Sequence, residues 1–136
     1  YTRPDIMKEI VFALKEKLKG QKMDRVAGME LGAVPLAVAL SLSAEMPFVI
    51  VRKEKKEYGA GKRIEGRIEE GDVVVLVEDV VTTGSSLASA AESIRQEGGR
   101  CTTAIAVVDR LEGAKANLEK INIQLNSLLT IKDLGL

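Results

Sequence analysis

The sequence predicts an α/β fold in which a doubly wound, mostly parallel sheet is flanked by helices on both faces. Short runs of apolar, largely β-branched residues are typical of strands buried on both faces. Segments with helical spacing of apolar residues separate these runs. Strands and helices that alternate in this way form a parallel sheet between two helical layers. Ligands of such sheets bind at the carboxyl ends of the strands.

The helices are predicted from their spacing and from their end signals. Pro4 begins the first and Gly20 follows it, Pro35 stands in the first turns of the second, and paired glycines close the third. Strands are predicted where apolar runs are short. The predicted helices cover 4–19, 31–46, 85–99 and 112–120, and the predicted strands cover 25–28, 47–52, 73–77, 101–110 and 121–130.

The composition excludes several classes of function. The 136 residues form one domain of ordinary size, and 20 basic side chains balance 20 acidic ones. This balance argues against nucleic-acid binding driven by net charge, and no apolar run is long enough to cross a membrane. Without histidine, catalysis by Ser-His-Asp or Cys-His is excluded. The single cysteine, Cys101, suits a reducing, cytoplasmic setting and a buried apolar role.

The segment VVVLVEDVVTTGSSL, residues 73–87, joins a buried strand to a helix through two acids and a hydroxyl-rich turn. A glycine-containing turn that opens a helix presents backbone N–H groups at the positive end of the helix dipole. Thr82, Thr83, Ser85 and Ser86 add hydroxyl donors around Gly84. The segment therefore predicts a phosphate cradle, although it lacks the spacing and the lysine of a Walker P-loop.

The acids Glu78 and Asp79 precede this cradle and cannot themselves attract phosphate. Carboxylates accept hydrogen bonds from sugar hydroxyls and suit hard cations such as Mg²⁺. An acidic pair beside a phosphate cradle therefore predicts a ribose 5-phosphate site. The plainer reading is a helix N-cap loop with two solvated acids, which the length of the joint pattern disfavours.

Residues 77–86, VEDVVTTGSS, resemble the phosphoribosyl-pyrophosphate (PRPP) signature of the type I phosphoribosyltransferases. Within that family the chain most resembles the orotate phosphoribosyltransferases, through segments 28–37, 47–66, 107–113 and 125–134 as well. The resemblance implies the type I fold, with a flexible basic loop or hairpin over the site. It also implies Mg²⁺-dependent transfer of phosphoribosyl from PRPP to orotate.

The same resemblance implies roles for individual residues. The carboxylates, the cradle and the two residues between them would bind PRPP, and the pyrophosphate would also meet a second loop through its backbone amides. Thr82 and Arg110 would contact orotate, and Mg²⁺ would be held through substrate and by Glu78 and Asp79. The PRPP-binding set is Arg52, Lys53, Lys56, Tyr58, Glu78, Asp79, Val80, Val81, Thr82, Thr83, Gly84, Ser85 and Ser86, and the pyrophosphate loop is Gly28, Met29, Glu30, Leu31 and Gly32.

A basic segment, residues 52–63, carries six basic and two acidic side chains. Read alone it is a solvated surface hairpin, although its glycines would suit a mobile loop that closes over polyphosphate. By resemblance Arg52, Lys53 and Lys56 are catalytic and bind pyrophosphate, with Lys56 reaching the site of a second subunit in a homodimer. Tyr58 stands where many family members have histidine.

Three expectations remain open at this point. The family's N-terminal segment, which carries residues near the base, is largely missing before the helix at 4–19, so the base could be a purine instead of orotate. Asp109 and Arg110 could form only a structural ion pair. The domain could also belong to a transcriptional regulator that senses PRPP or purines, although no helix-turn-helix is visible.

Overall fold

A computed structural model describes residues 3–53 and 63–135 of the chain. Four helices and six strands follow one another along it. The helices are α1 (Pro4–Leu18), α2 (Val34–Ala44), α3 (Ser85–Gln96) and α4 (Ala114–Glu119), and the strands are β1 (Arg25–Met29), β2 (Phe48–Val51), β3 (Ile64–Glu65), β4 (Val73–Val81), β5 (Arg100–Asp109) and β6 (Gln124–Thr130).

The strands form one sheet in the order β3-β2-β1-β4-β5-β6. All neighbouring pairs are parallel except β2 and β3, which form an antiparallel hairpin at one edge. The chain starts near the centre at β1, moves to one edge and returns through β4 to the other edge. This reversal between β1 and β4 is the point where doubly wound sheets bind ligands.

Alternating residues of the central strands pack into two separate cores. In β4, Val74 and Leu76 face the cluster that α3 and α4 cover, whereas Val75 and Val77 face the cluster that α1 and α2 cover. Cys101 belongs to the first cluster and is 1% exposed. Burial raises the pKa of its thiol to about 11, which agrees with the predicted role as a small apolar residue.

The predicted fold class is confirmed, and the element boundaries need correction. The strand predicted over 73–77 continues to Val81, so Glu78 and Asp79 lie within it and not after it. The second helix begins at Val34 instead of residue 31, because residues 30–33 form a turn first. Strand β2 was predicted to be buried on both faces, but only Val49 and Val51 are buried and Phe48 is 37% exposed. The strand lies next to the edge of the sheet, where only the two-residue β3 follows it.

Within residues 3–53 and 63–135, no helix is long and apolar enough to cross a membrane.

Candidate active site at the carboxyl edge of the sheet

Polar contacts connect the carboxyl ends of four neighbouring strands. The backbone N–H of Lys53, after β2, donates to Glu30 Oε1 at 2.7 Å, and the Glu30 N–H donates to the Val51 carbonyl at 2.9 Å. On the other side, the Arg110 N–H donates to the Val81 carbonyl at 3.0 Å. The loops that follow β1, β2, β4 and β5 therefore share one edge of the sheet, as the strand-end charges predicted.

The acidic pair lies inside β4, where its two carboxylates are partly buried. Glu78 Oε1 accepts the N–H of Asp79 at 3.0 Å, and Asp79 Oδ1 accepts the N–H of Val80 at 2.8 Å. Burial, with a smaller contribution from Asp79, raises the pKa of Glu78 from its ordinary value of 4.5 to about 8. Glu78 therefore keeps its proton to a higher pH than an ordinary glutamate, and in the protonated state it can both donate and accept hydrogen bonds.

The predicted phosphate cradle forms the turn between β4 and α3. Gly84 adopts a left-handed backbone with φ of +86° and stands at the N-cap of the helix. A Cβ at this residue would lie 3.2 Å from Leu118 Cγ and 3.3 Å from Ala114 Cβ, so only glycine fits without displacing α4. The hydroxyl-bearing residues around it, Thr82, Thr83, Ser85 and Ser86, are all exposed. Hydroxyls and the first N–H groups of α3 therefore meet at this turn, where the Ser85 N–H donates to Thr83 Oγ1 at a long 3.4 Å.

The predicted pyrophosphate loop, residues 28–32, lies against the acidic pair, although its first two residues, Gly28 and Met29, are the end of β1 and only residues 30–33 form a turn. A Cβ on Gly28 would lie 2.8 Å from the Ala33 carbonyl oxygen, so glycine lets α2 begin directly beside β1. A Cβ on Gly32 would lie 2.8 Å from Asp79 Oδ2, which places the carboxylate against this turn. The peptide bond between Glu30 and Leu31 is cis. The predicted pyrophosphate loop and the predicted ribose site are therefore in direct contact.

The predicted basic residues divide into two groups. Arg52 and Lys53 follow β2 on the described edge, and Arg52 Nη1 pairs with Glu65 Oε1 of β3 at 3.1 Å. Lys56 and Tyr58 lie outside the described residues, so their predicted roles stay predictions. Sequence reasoning missed Arg63, which counted only toward the basic charge of 52–63 although its side chain donates to the Arg52 carbonyl at 3.0 Å.

Asp109 and Arg110 do not form the structural ion pair that the sequence left open as an alternative. Asp109 is 6% exposed, and its Oδ1 accepts the N–H of Leu111 at 2.9 Å. Arg110 Nε instead pairs with Glu112 Oε2 at 3.3 Å, with its side chain 53% exposed. Asp109 therefore shapes the loop, and the Arg110 guanidinium stays accessible at the carboxyl edge.

The donor set fits a magnesium ion only in part. In the part of the chain that the structure describes, no three His, Cys, Asp or Glu side chains come together as a metal site. Glu78 and Asp79 offer carboxylate oxygens, which Mg²⁺ prefers, but a Mg²⁺ ion needs six ligands in all. The arrangement fits an ion that takes most of its ligands from a bound substrate and water.

Known proteins share this arrangement. A family model described as the phosphoribosyl transferase domain matches residues 1–127. The orotate phosphoribosyltransferase of Methanocaldococcus jannaschii is 49% identical over 133 residues, which are 98% of this chain and 75% of the relative. The solved structure of orotate phosphoribosyltransferase from Aeropyrum pernix is 34% identical with a TM-score of 0.87, over 96% of this chain and 75% of that one.

The Mycobacterium tuberculosis H37Rv orotate phosphoribosyltransferase, solved in complex with PRPP, is also similar. It is 32% identical with a TM-score of 0.82, over 96% of this chain and 76% of that one. The sheet and the turn between β4 and α3 define a phosphoribosyltransferase domain. Given these identities and coverages, the chain belongs to the type I phosphoribosyltransferase family, within its orotate phosphoribosyltransferases.

Proposed function

We propose that the protein transfers a phosphoribosyl group from PRPP to orotate, giving orotidine 5′-monophosphate and pyrophosphate for pyrimidine biosynthesis. The observation that carries this proposal is the strand–acidic pair–hydroxyl turn–helix unit of residues 73–96 in a chain 49% identical to an orotate phosphoribosyltransferase. The enzyme is thus a glycosyltransferase that acts on a pentose.

PRPP would lie along the carboxyl edge from the cradle toward β2. Its 5-phosphate would accept hydrogen bonds from the N–H and hydroxyl groups of residues 82–86, with the dipole of α3 behind them. Its ribose hydroxyls would meet Glu78 and Asp79, and the raised pKa of Glu78 suits hydroxyls that both donate and accept. The turn at Leu31 and Gly32 would face the pyrophosphate, since Gly28 and Met29 belong to β1 and the Glu30 N–H donates to the Val51 carbonyl.

Catalysis would be electrostatic. As the bond from C1 of the ribose to pyrophosphate stretches, negative charge grows on the leaving group and positive charge on the ribose. Arg52, Lys53 and, from outside the described residues, Lys56 would stabilise the leaving pyrophosphate. Bound Mg²⁺, held by substrate oxygens with Glu78 and Asp79, would supply further positive charge there. Orotate is already an anion, so the reaction needs no strong general base and the absence of histidine is no obstacle.

Orotate would be held beside the ribose by the loop after β5. The accessible Arg110 guanidinium suits the orotate carboxylate, because its planar fork can donate two parallel hydrogen bonds. Thr82 would contribute a hydroxyl from the neighbouring loop. This contact would favour orotate over purine bases, which carry no carboxylate.

The direct test is turnover, measured by the loss of orotate absorbance in the presence of PRPP and Mg²⁺, for the wild type and for Lys56→Ala. We expect the wild type to turn over and the variant to lose most of its rate while still binding PRPP in calorimetry. Tight PRPP binding without turnover of orotate would indicate another base or a PRPP-sensing regulator. Turnover with a panel of purines would separate those two.

We also propose that the enzyme is a cytoplasmic homodimer in which Lys56 acts in the partner's site. Mixing Lys56→Ala with Arg110→Met would then restore one intact site in each mixed dimer, measured at an orotate concentration far below the raised KM of Arg110→Met, where neither variant alone turns over appreciably. Since half of randomly exchanged dimers are mixed, activity should recover to about a quarter of the wild-type value. Mixtures that stay inactive after subunit exchange would place Lys56 in its own subunit's site.

A further inference from the structure

The side chain of Arg63 contacts both sides of the proposed PRPP site. Its Nε donates to the Arg52 carbonyl at 3.0 Å, and its Nη1 donates to Ser89 Oγ at 2.6 Å and to Ser93 Oγ at 3.1 Å. The backbone adds a further hydrogen bond, because the Arg52 N–H donates to the Arg63 carbonyl at 2.6 Å. One guanidinium therefore ties the end of β2 to helix α3.

The two groups joined in this way belong to opposite ends of the proposed ligand. Helix α3 begins at Ser85, within the cradle proposed for the 5-phosphate, and Ser89 and Ser93 lie one and two turns further along the same helix. Arg52 is proposed to meet the pyrophosphate. The distance between these two anion sites is therefore fixed in part by Arg63.

Arg52 is held in place by its surroundings more than by its own side-chain contacts. Its Nη1 pairs with Glu65 Oε1 at 3.1 Å. Its Nε is buried and has no hydrogen-bond partner among the residues that the structure describes. The described contacts of this side chain are therefore few, and the region that the guanidinium can reach depends on the position of the Arg52 backbone. The contacts of Arg63 fix that backbone on both its N–H and its carbonyl.

We propose that Arg63 is a positioning residue, which sets the spacing between the pyrophosphate-binding end of β2 and the phosphate cradle of α3. The proposal rests on the proposed function, since it assumes that PRPP spans these two sites. It requires a guanidinium, because the Nε and Nη1 donors must reach a carbonyl and two hydroxyls at the same time. A lysine carries the charge but has one nitrogen.

The test compares steady-state constants for Arg63→Met and Arg63→Lys with those of the wild type. We expect both variants to raise the KM for PRPP about tenfold, the effect of losing hydrogen bonds to a charged group, and to leave the KM for orotate unchanged. Arg67→Met is the matched control, since Arg67 pairs with Glu69 at 2.8 Å on the surface with its side chain 80% exposed. It should leave both constants unchanged.

A second variant keeps the test valid if Arg63→Met folds poorly. Ser89→Ala combined with Ser93→Ala removes only the α3 side of the contact, with little loss of volume. It should raise the KM for PRPP several-fold, and adding Arg63→Met to it should have less effect than in the wild type. Thermal unfolding of each variant would separate loss of fold from loss of positioning.

The outcomes distinguish this inference from the proposed function. A wild type that turns over orotate, with Arg63→Met and the double serine variant unchanged in the KM for PRPP, overturns the inference alone. Equal rises in the KM for both substrates also overturn it, because a general structural role would act on both. A wild type that neither turns over nor binds PRPP in calorimetry overturns the proposed function and the inference together.

Discussion

Two neighbouring turns at the carboxyl edge have the same backbone geometry but carry different side chains. In each, a strand ends, a left-handed glycine stands at the N-cap and a helix begins: Gly84 with φ of +86° before α3, and Gly113 with φ of +98° before α4. The first is surrounded by hydroxyls and opens a helix of 12 residues. The second carries Arg110 and opens a helix of six. The first suits a phosphate, and the second offers a side chain.

The two turns also support each other. The Asn117 side-chain amide of α4 donates to the Thr83 carbonyl at 2.9 Å. Ala114 and Leu118 of α4 fill the space beside Gly84. The second turn therefore packs against the first, in addition to the base-binding role proposed for it. A shared backbone geometry does not by itself fix function, because the side chains and the helix length differ between the two turns.

Alanine substitution should destabilise the protein more at Gly84 than at Gly113. Gly84→Ala should lower the free energy of unfolding by about 2–4 kcal/mol, because it adds a steric conflict with Ala114 and Leu118 to the cost of a left-handed alanine. In Gly113→Ala the new Cβ meets only Asn117 Nδ2, at 3.7 Å, so only the backbone cost of about 1–2 kcal/mol remains. Urea unfolding measures both. Equal losses would show that the two turns are equally crowded.

Substitution of Arg110, in the second turn, should weaken the binding of orotate alone. Arg110→Met should raise the KM for orotate roughly 30- to 100-fold, since a bidentate charge-assisted contact is lost, with the KM for PRPP unchanged. Glu112→Gln is the control: it removes the ion pair at 3.3 Å but keeps the guanidinium. Steady-state kinetics checks both. A similar rise in Glu112→Gln would mean that the ion pair, and not the arginine, matters.

The free energy of unfolding should depend on pH through Glu78, in the strand that leads into the first turn. The folded pKa of Glu78, about 8, exceeds its ordinary value of 4.5, so the folded state binds more protons between these values. Stability from this group is therefore present below about pH 4.5 and is lost as pH rises through about 8. Urea unfolding from pH 5 to 9 should show this decline in the wild type and a smaller one in Glu78→Gln. An unchanged slope would assign the decline to other groups.

The smallest effect tests the contact between the turns. Asn117→Ala should cost about 0.5–1 kcal/mol of unfolding free energy, because one exposed hydrogen bond to the Thr83 carbonyl is lost. The KM for PRPP should rise only two- to threefold, as a few tenths of a kcal/mol imply. Asn117→Asp should behave in the same way, since an ionised carboxylate cannot donate to a carbonyl. A much larger rise would make α4 a direct part of the phosphate site.

Local pattern was enough to predict the fold class and a glycine-containing hydroxyl turn between β4 and α3, because each of these signals lies within a few neighbouring residues. The roles of that turn and of Arg110 stay predictions, and the role of Arg110 came from the family resemblance. The end of β4 was predicted four residues early, because Glu78 and Asp79 resemble a loop in the sequence although Glu78 pairs with Ala106 of β5 and the strand continues to Val81. Asp79 also packs against the turn at Gly32, a contact that no local pattern shows.

The contacts that hold the site together could not be predicted from the sequence, because they join residues far apart in the chain. Arg63 reaches serines that follow it by 26 and 30 residues, and Asn117 meets Thr83 across 34 residues. Such pairs depend on strand order. Once β2 is known to lie between β1 and β3, the basic residues after it can be placed at the carboxyl edge of the sheet. The sequence alone shows these residues only as a run of charged side chains.

Steady-state kinetics of Ser86→Ala and Arg110→Met with both substrates is the decisive experiment. PRPP is proposed to bind the first turn and orotate the second. Ser86→Ala should therefore raise only the KM for PRPP, and Arg110→Met only the KM for orotate. If either variant raised the KM for the other substrate instead, or both variants raised both constants equally, the division of the two substrates between the two turns would be wrong.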